Sequence, residues 1–106
     1  MKKKLAQGAI GTGAGTLAYT VPTGYKTRVT DIGISNTTSG ALSVKLYFVP
    51  SGGSVVAANL FLPDSSIAGN GMLQLAGEQI LNAGDYIQAI GSGSGLTMNI
   101  SGEEYR

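Results

Sequence analysis

Residues 41–63 leave few choices of fold. They read ALSVKLYFVP, then SGGS, then VVAANLFLP. In the first run Leu42, Val44, Leu46 and Phe48 alternate with Ser43, Lys45, Tyr47 and Val49. In the last, Val56, Ala58, Leu60 and Leu62 keep the same period. Successive side chains of a strand leave opposite faces of the pleat, so this alternation predicts two half-buried strands. Ser51-Gly52-Gly53-Ser54 predicts a tight hairpin turn between them, because glycine enters the φ > 0 turn conformations without a steric cost. The even-numbered residues then face a core. Tyr47, Val49, Val55 and Phe61 take the opposite phase and predict an apolar outer patch of the kind that marks contacts.

The rest of the chain repeats the pattern. Extended segments are predicted at 4–10, 16–21, 26–36, 72–75, 79–81, 86–90 and 96–105, with turns at 11–15, 22–24, 36–40, 70–71, 77–78, 82–85 and 91–95. Leu17, Tyr19 and Val21 share one face of the second segment. In the third, Val29 is odd whereas Ile32 and Ile34 are even, and a β-bulge near Thr30-Asp31 is the economical reading of that slip. Pro63 to Ser66 breaks the chain, leaving Ile67 isolated. No helical period persists for two turns. About eight short strands with turn signals every 8–12 residues or so indicate an all-β fold. It is read as a small antiparallel β-sandwich, jelly-roll-like, with a partly open barrel as the second choice. One domain is expected over 16–106, preceded by a flexible or weakly ordered segment over 1–15, where glycines are frequent and strand character is weak.

Composition narrows function by exclusion. The chain has 106 residues and 42% hydrophobic content, enough for one globular domain. It contains no Cys and no His, so it lacks a disulfide framework, a thiolate metal site and the commonest general base. Only 12% of residues are charged, against about 25% in an average domain. Such a surface suits a protein that sits against other proteins. The net charge of +1 is gathered at Lys2, Lys3 and Lys4, a block too short for a nucleic-acid arm. Residues 1–5 resemble the start of a signal peptide, but AQGAIGTGAG after them is no apolar core. No run approaches the roughly 20 apolar residues of a membrane span.

Motifs of chemistry fail on spacing. GTGAGT at 11–16 lacks the dinucleotide fingerprint and a following helix. Gly24-Tyr25-Lys26-Thr27 splits the Gly-Lys pair of a phosphate loop. Glu103 and Glu104 are neighbours on a strand and face opposite ways. Asp64 and Asp85 fall in turns, where aspartate bonds its own backbone. No cofactor, metal or catalytic residue is expected, and no enzyme activity. The five tyrosines, at 19, 25, 47, 86 and 105, are candidates for contacts, with Tyr19 and Tyr86 read as mostly core.

LAYTVPTGYK at 17–26, VTDIGISNT at 29–37, LYFVPSGGS at 46–54 and LNAGDYIQA at 81–89 together resemble small β-sandwich virion proteins of tailed bacteriophages. These include capsid decoration proteins, head-fibre pieces and tail-associated subunits. The resemblance implies a structural protein of the virion, assembled in the host cytoplasm, that forms a homo-oligomer, typically a trimer. Its partner would be the major capsid protein or another virion protein, with neither nucleic acid nor membrane involved. The alternative it leaves is a carbohydrate- or receptor-binding module at a tail tip. Lys2, Lys3, Lys4, Tyr47, Val49, Val55 and Phe61 are the expected interface residues, the lysines meeting an acidic patch on the partner.

Overall fold

The longest alternating run becomes the strand around which one sheet is built. A computed structural model describes residues 2–13 and 15–106, with the side chain of Lys2 outside the description. Its strands are β1 (Lys2–Ala9), β2 (Thr16–Thr20), β3 (Lys26–Asn36), β4 (Leu42–Val49), β5 (Leu60–Ile67), β6 (Met72–Leu81), β7 (Tyr86–Gly91) and β8 (Leu96–Tyr105). Two four-stranded sheets form, ordered β1-β8-β3-β6 and β2-β7-β4-β5, with every neighbouring pair antiparallel. The fold is an all-β sandwich. First pairs with last, second with seventh, third with sixth and fourth with fifth.

β3 carries the anticipated bulge. Its register shifts between Val29 and Asp31 against both β6 and β8. Thr27 and Val29 before the shift, and Ile32, Ile34 and Asn36 after it, are all buried. The irregularity runs across the whole sheet, because β1 shifts register between Lys4 and Ala6 at the same level. Gly102 lies on this line. A Cβ there would collide with the Arg28 carbonyl and crowd the Leu5 side chain, so the strands meet closely only because this residue has none.

The two inner faces meet in a core that includes Ile34, Val44, Leu46, Ile87, Leu96 and Ile100, all fully buried. Each such side chain contributes about 1.5–3 kcal/mol relative to exposure. Among the described residues Thr27 and Asn36 are the buried polar exceptions, and the Asn36 amide is fully used. Nδ2 donates to the carbonyls of Gly40 (2.8 Å) and Ile67 (3.0 Å). Oδ1 accepts from the Thr38 amide (3.0 Å) and hydroxyl (2.7 Å). One side chain thereby ties the end of β3 to its turn and to the end of β5 in the other sheet.

Several expectations give way. Residues 2–9 form a full edge strand paired along β8, so the sheet includes the segment read as weakly ordered. The β4–β5 hairpin exists, but SGGS is only the first turn of its link, closed by Gly53 N–H to Pro50 O at 2.8 Å. Val55 and Val56 stay outside any strand, and a 3-10 turn at Ala57–Asn59 leads into β5. Pro63 does not break β5. The strand is a sheet edge, where a residue without an N–H is tolerated, and Ile67 at its end is buried. Gly77-Glu78 is not a turn but a register shift inside a continuous β6. Asp64 lies in β5 rather than a turn.

At the β1/β2 side the sheets are joined by a polar clamp. The Tyr19 hydroxyl from β2 lies 2.8 Å from the Thr27 hydroxyl on β3 and donates to Glu104 on β8. Lys3 on β1 donates to the same carboxylate at 2.6 Å. Burial, and then the bond to Glu104, push the Tyr19 hydroxyl up to about 12. The bond from Lys3, and then that from Tyr19, hold Glu104 below its ordinary value of 4.5. Tyr19 therefore keeps its proton in the folded chain after the unfolded chain has begun to lose it. Stability falls as pH rises from about 10 to 12. Glu104 contributes stability above its ordinary range that is lost as pH falls through it. Chemical denaturation across pH should show both limbs. Tyr19→Phe should flatten the alkaline limb and Glu104→Gln the acid one. Limbs unchanged in both variants would remove the clamp from the account.

Candidate functional site

Ile87 and Ala89 of β7 are fully buried between the sheets, so Tyr86, Gln88 and Ile90 take the outer face of the second sheet. Directly opposed residues in antiparallel strands share a face, and register fixes the rest. Leu60 opposes Tyr47, Tyr47 opposes Gln88, and Gln88 opposes Leu17. This row crosses all four strands. Beside it, Lys45 opposes Ile90 on one side, and Val49 opposes Tyr86 on the other. Leu17 is 57% exposed, and Tyr47, Leu60 and Ile90 are half-buried. None of these four packs against the main core. The result is an apolar outer face with a polar centre at Gln88. At one margin Ser43, Lys45, Asp64, Ile90 and Ser92 line a shallow hollow, which supplies charges of both signs.

The expected interface residues are only partly gathered here. Tyr47 stands in the middle of the row. Val49 takes the anticipated outer phase but is fully buried, so it is not contact surface. The Tyr86 hydroxyl, from the residue opposite it, reaches the Gly53 carbonyl at 3.5 Å, so the 50–59 link folds over this end of the sheet. Val55 belongs to that link and is 37% exposed, with Val56 beside it at 49%.

Phe61 corrects the expectation outright. Leu62 opposes Leu46 and Leu60 opposes Tyr47, which leaves Phe61 as the extra residue of a bulge. Its ring turns onto the core and stacks on Phe48, with centroids 4.2 Å apart and planes at 2°. Lys3 is paired with Glu104, and Lys4 donates to Gln7. The side chain of Lys2 lies outside the described residues.

Leu17, Leu60 and Ile90 were missed. Simple alternation puts Leu17 on the same face as Tyr19, but the register shifts between them and Ala18 becomes the extra residue. Ile90 was visible in the alternation of YIQAI, once Ile87 and Ala89 are taken as the inner pair. The other tyrosines have separate duties. Tyr25 packs against the core and carries Arg106 over its ring at 4.7 Å, and Tyr105 is 38% exposed.

Asp85, Glu78, Glu103 and Glu104 serve structure. Asp85 accepts the amides of Ser51 (2.9 Å) and Asn82 (2.8 Å) and braces two turns. Glu103 accepts from Arg28, and Glu78 lies 3.6 Å from the same guanidinium. Among the described residues no group of three or more His, Cys, Asp or Glu could hold a metal ion. Compared with known proteins, the chain matches no family model, no curated protein and no solved structure.

The stacked rings give a direct test of the corrected phase. Phe61→Ala should cost the protomer about 2–3 kcal/mol in chemical denaturation, somewhat less than a fully buried aromatic truncation. A double-mutant cycle with Phe48→Ala should return a coupling of about 0.5–1.5 kcal/mol. An unchanged midpoint for Phe61→Ala would return that ring to the outer surface.

Proposed function

We propose that the protein is a non-enzymatic structural protein of a bacteriophage particle, a capsid decoration protein that docks on the shell as an oligomer. The observation that carries this reading is the outer face of the second sheet. Leu17, Tyr47, Leu60 and Ile90 lie on that face around Gln88, in a chain whose surface has little charge. Apolar area at a sheet face gains its energy by excluding water against a complementary surface. The resemblance of residues 17–26, 29–37, 46–54 and 81–89 to virion proteins supplies the kind of partner. Repeated docking of an oligomer on a symmetric shell adds weak contacts through effective concentration.

A second reading is favoured by the opposite face. Gln7, Asn99, Gly33 and Gln74 oppose one another across the first sheet, and the space above Gly33 is open. Amide side chains flanking an open glycine suit hydrogen bonding to a glycan at a tail tip.

The two readings separate on particles. Immunogold labelling should decorate capsid faces under the first and the tail tip under the second. Leu17→Lys should weaken rebinding to particles stripped of the protein at least about tenfold. It should leave protomer stability within about 0.5 kcal/mol, because the site is exposed. Asn99→Lys, on the other face, should bind as the parent does. Equal loss in both variants would separate docking from this face.

A further inference from the structure

Every strand edge offers unpaired N–H and C=O groups to another chain, so each edge of a sandwich needs some guard. The four edges here are guarded unequally. β1 carries Lys3 and Lys4 and shifts register around Leu5. β2 has only 5 residues. β5 holds Pro63, which has no N–H to donate, and shifts register twice. β6 has 10 residues and pairs with β3 on one side; among the described residues no strand lies along the other. Its register shift guards the half beyond Ala76. Residues 72–76, reading MLQLA, have no charge, no proline and no shift.

We propose that two copies of this chain pair through that edge, β6 antiparallel to its counterpart, about a two-fold axis at Gln74. The segment is self-complementary in this arrangement. Gln74 meets Gln74 of the partner subunit on the outer face, where the two amides can bond each other. Met72 lies opposite Ala76 of the partner subunit, and Leu73 opposite Leu75 of the partner subunit. No charge faces a like charge, whereas β1 paired with itself would bring lysines together. A two-fold interface uses one patch twice, and this edge satisfies that condition.

A second feature at the same place favours a copy over an unrelated polar strand. On this side the sandwich is open between β5 and β6. A cleft there is lined by Val29, Ile32, Phe61 and Leu75, with Glu78 and Gln79 at the part beyond Ala76. Leu73 and Leu75 are half-buried on its flank. The inward-facing leucines of a paired β6 continue this apolar flank and cover the mouth. The assembly unit is then two-fold, in place of the three-fold one implied by the resemblance. The apolar face of the second sheet stays free, so this pairing and docking on a shell fail independently.

The absence of cysteine makes the test direct. Opposed Cβ atoms of antiparallel strands stand about 4.5–5.5 Å apart, close to disulfide range. Purified protein should sediment as a dimer at micromolar to submillimolar concentration. Gln74→Cys should give a disulfide-linked dimer on mild oxidation, and Ser66→Cys, on the β5 edge, should not. Gln74→Lys should raise the dimer Kd at least about tenfold, because two ammonium groups meet at the axis, with unchanged circular dichroism. A monomer or a trimer in sedimentation overturns the proposal. So does a dimer that Gln74→Lys leaves intact, or one that Gln74→Cys does not cross-link.

Discussion

One extra residue at Thr30 decides how the first sheet can cover the second. β3 is bonded along both sides, so its register governs β6 and β8 together. Side chains alternate strictly along a strand, and a slip of one residue exchanges its faces. Without the shift at Thr30, either Thr27 and Val29 or Ile32, Ile34 and Asn36 would point to solvent. With it, both halves of β3 face inward. β1 carries an extra residue, Leu5, at the same level, and β6 sets Gly77 and Glu78 against Thr30; bulges of this kind increase local twist. Beyond the shift, the ends of β1, β3 and β8 reach Tyr19 on the opposing sheet through Lys3, Thr27 and Glu104.

The central part of this arrangement was legible in the residues. The Thr30 slip showed because apolar residues lie on both sides of it and both sets need a core. The alternations of β4, β7 and β8 showed for the same reason. The edge strands hid their irregularities. In β6 the shift falls on Gly77-Glu78, a glycine beside a charged residue between two short apolar runs, so it could be read as a turn. In β5 Pro63 has the sequence signature of a break, and only its place at a sheet edge makes it acceptable. Ala18 and Phe61 are bulge residues in strands too short or too apolar for the phase to declare itself.

The candidate surface was legible only in part, because a face is a property of register and not of one segment. Tyr47 could be assigned to the outer face from β4 by itself. Its neighbours Leu17 and Leu60 come from strands far away in sequence, and no local pattern places them in one row. Phe61 illustrates the converse. Its chemistry suits a contact patch, but a bulge turns it onto Phe48. Val49 has the right phase and is closed off by a loop that reads as a tight turn.

The sandwich thus presents two unlike outer faces, one with an apolar row and one with amides around Gly33, and an unguarded edge on the second of these. In the proposed reading the apolar row meets the shell. Oxidative side-chain footprinting of free and particle-bound protein tests that assignment most directly. The account predicts that Leu17, Tyr47, Leu60 and Ile90 lose reactivity on binding, while Tyr25 and Tyr105 keep theirs. Retained reactivity at Leu17 and Tyr47 in particle-bound protein would contradict it.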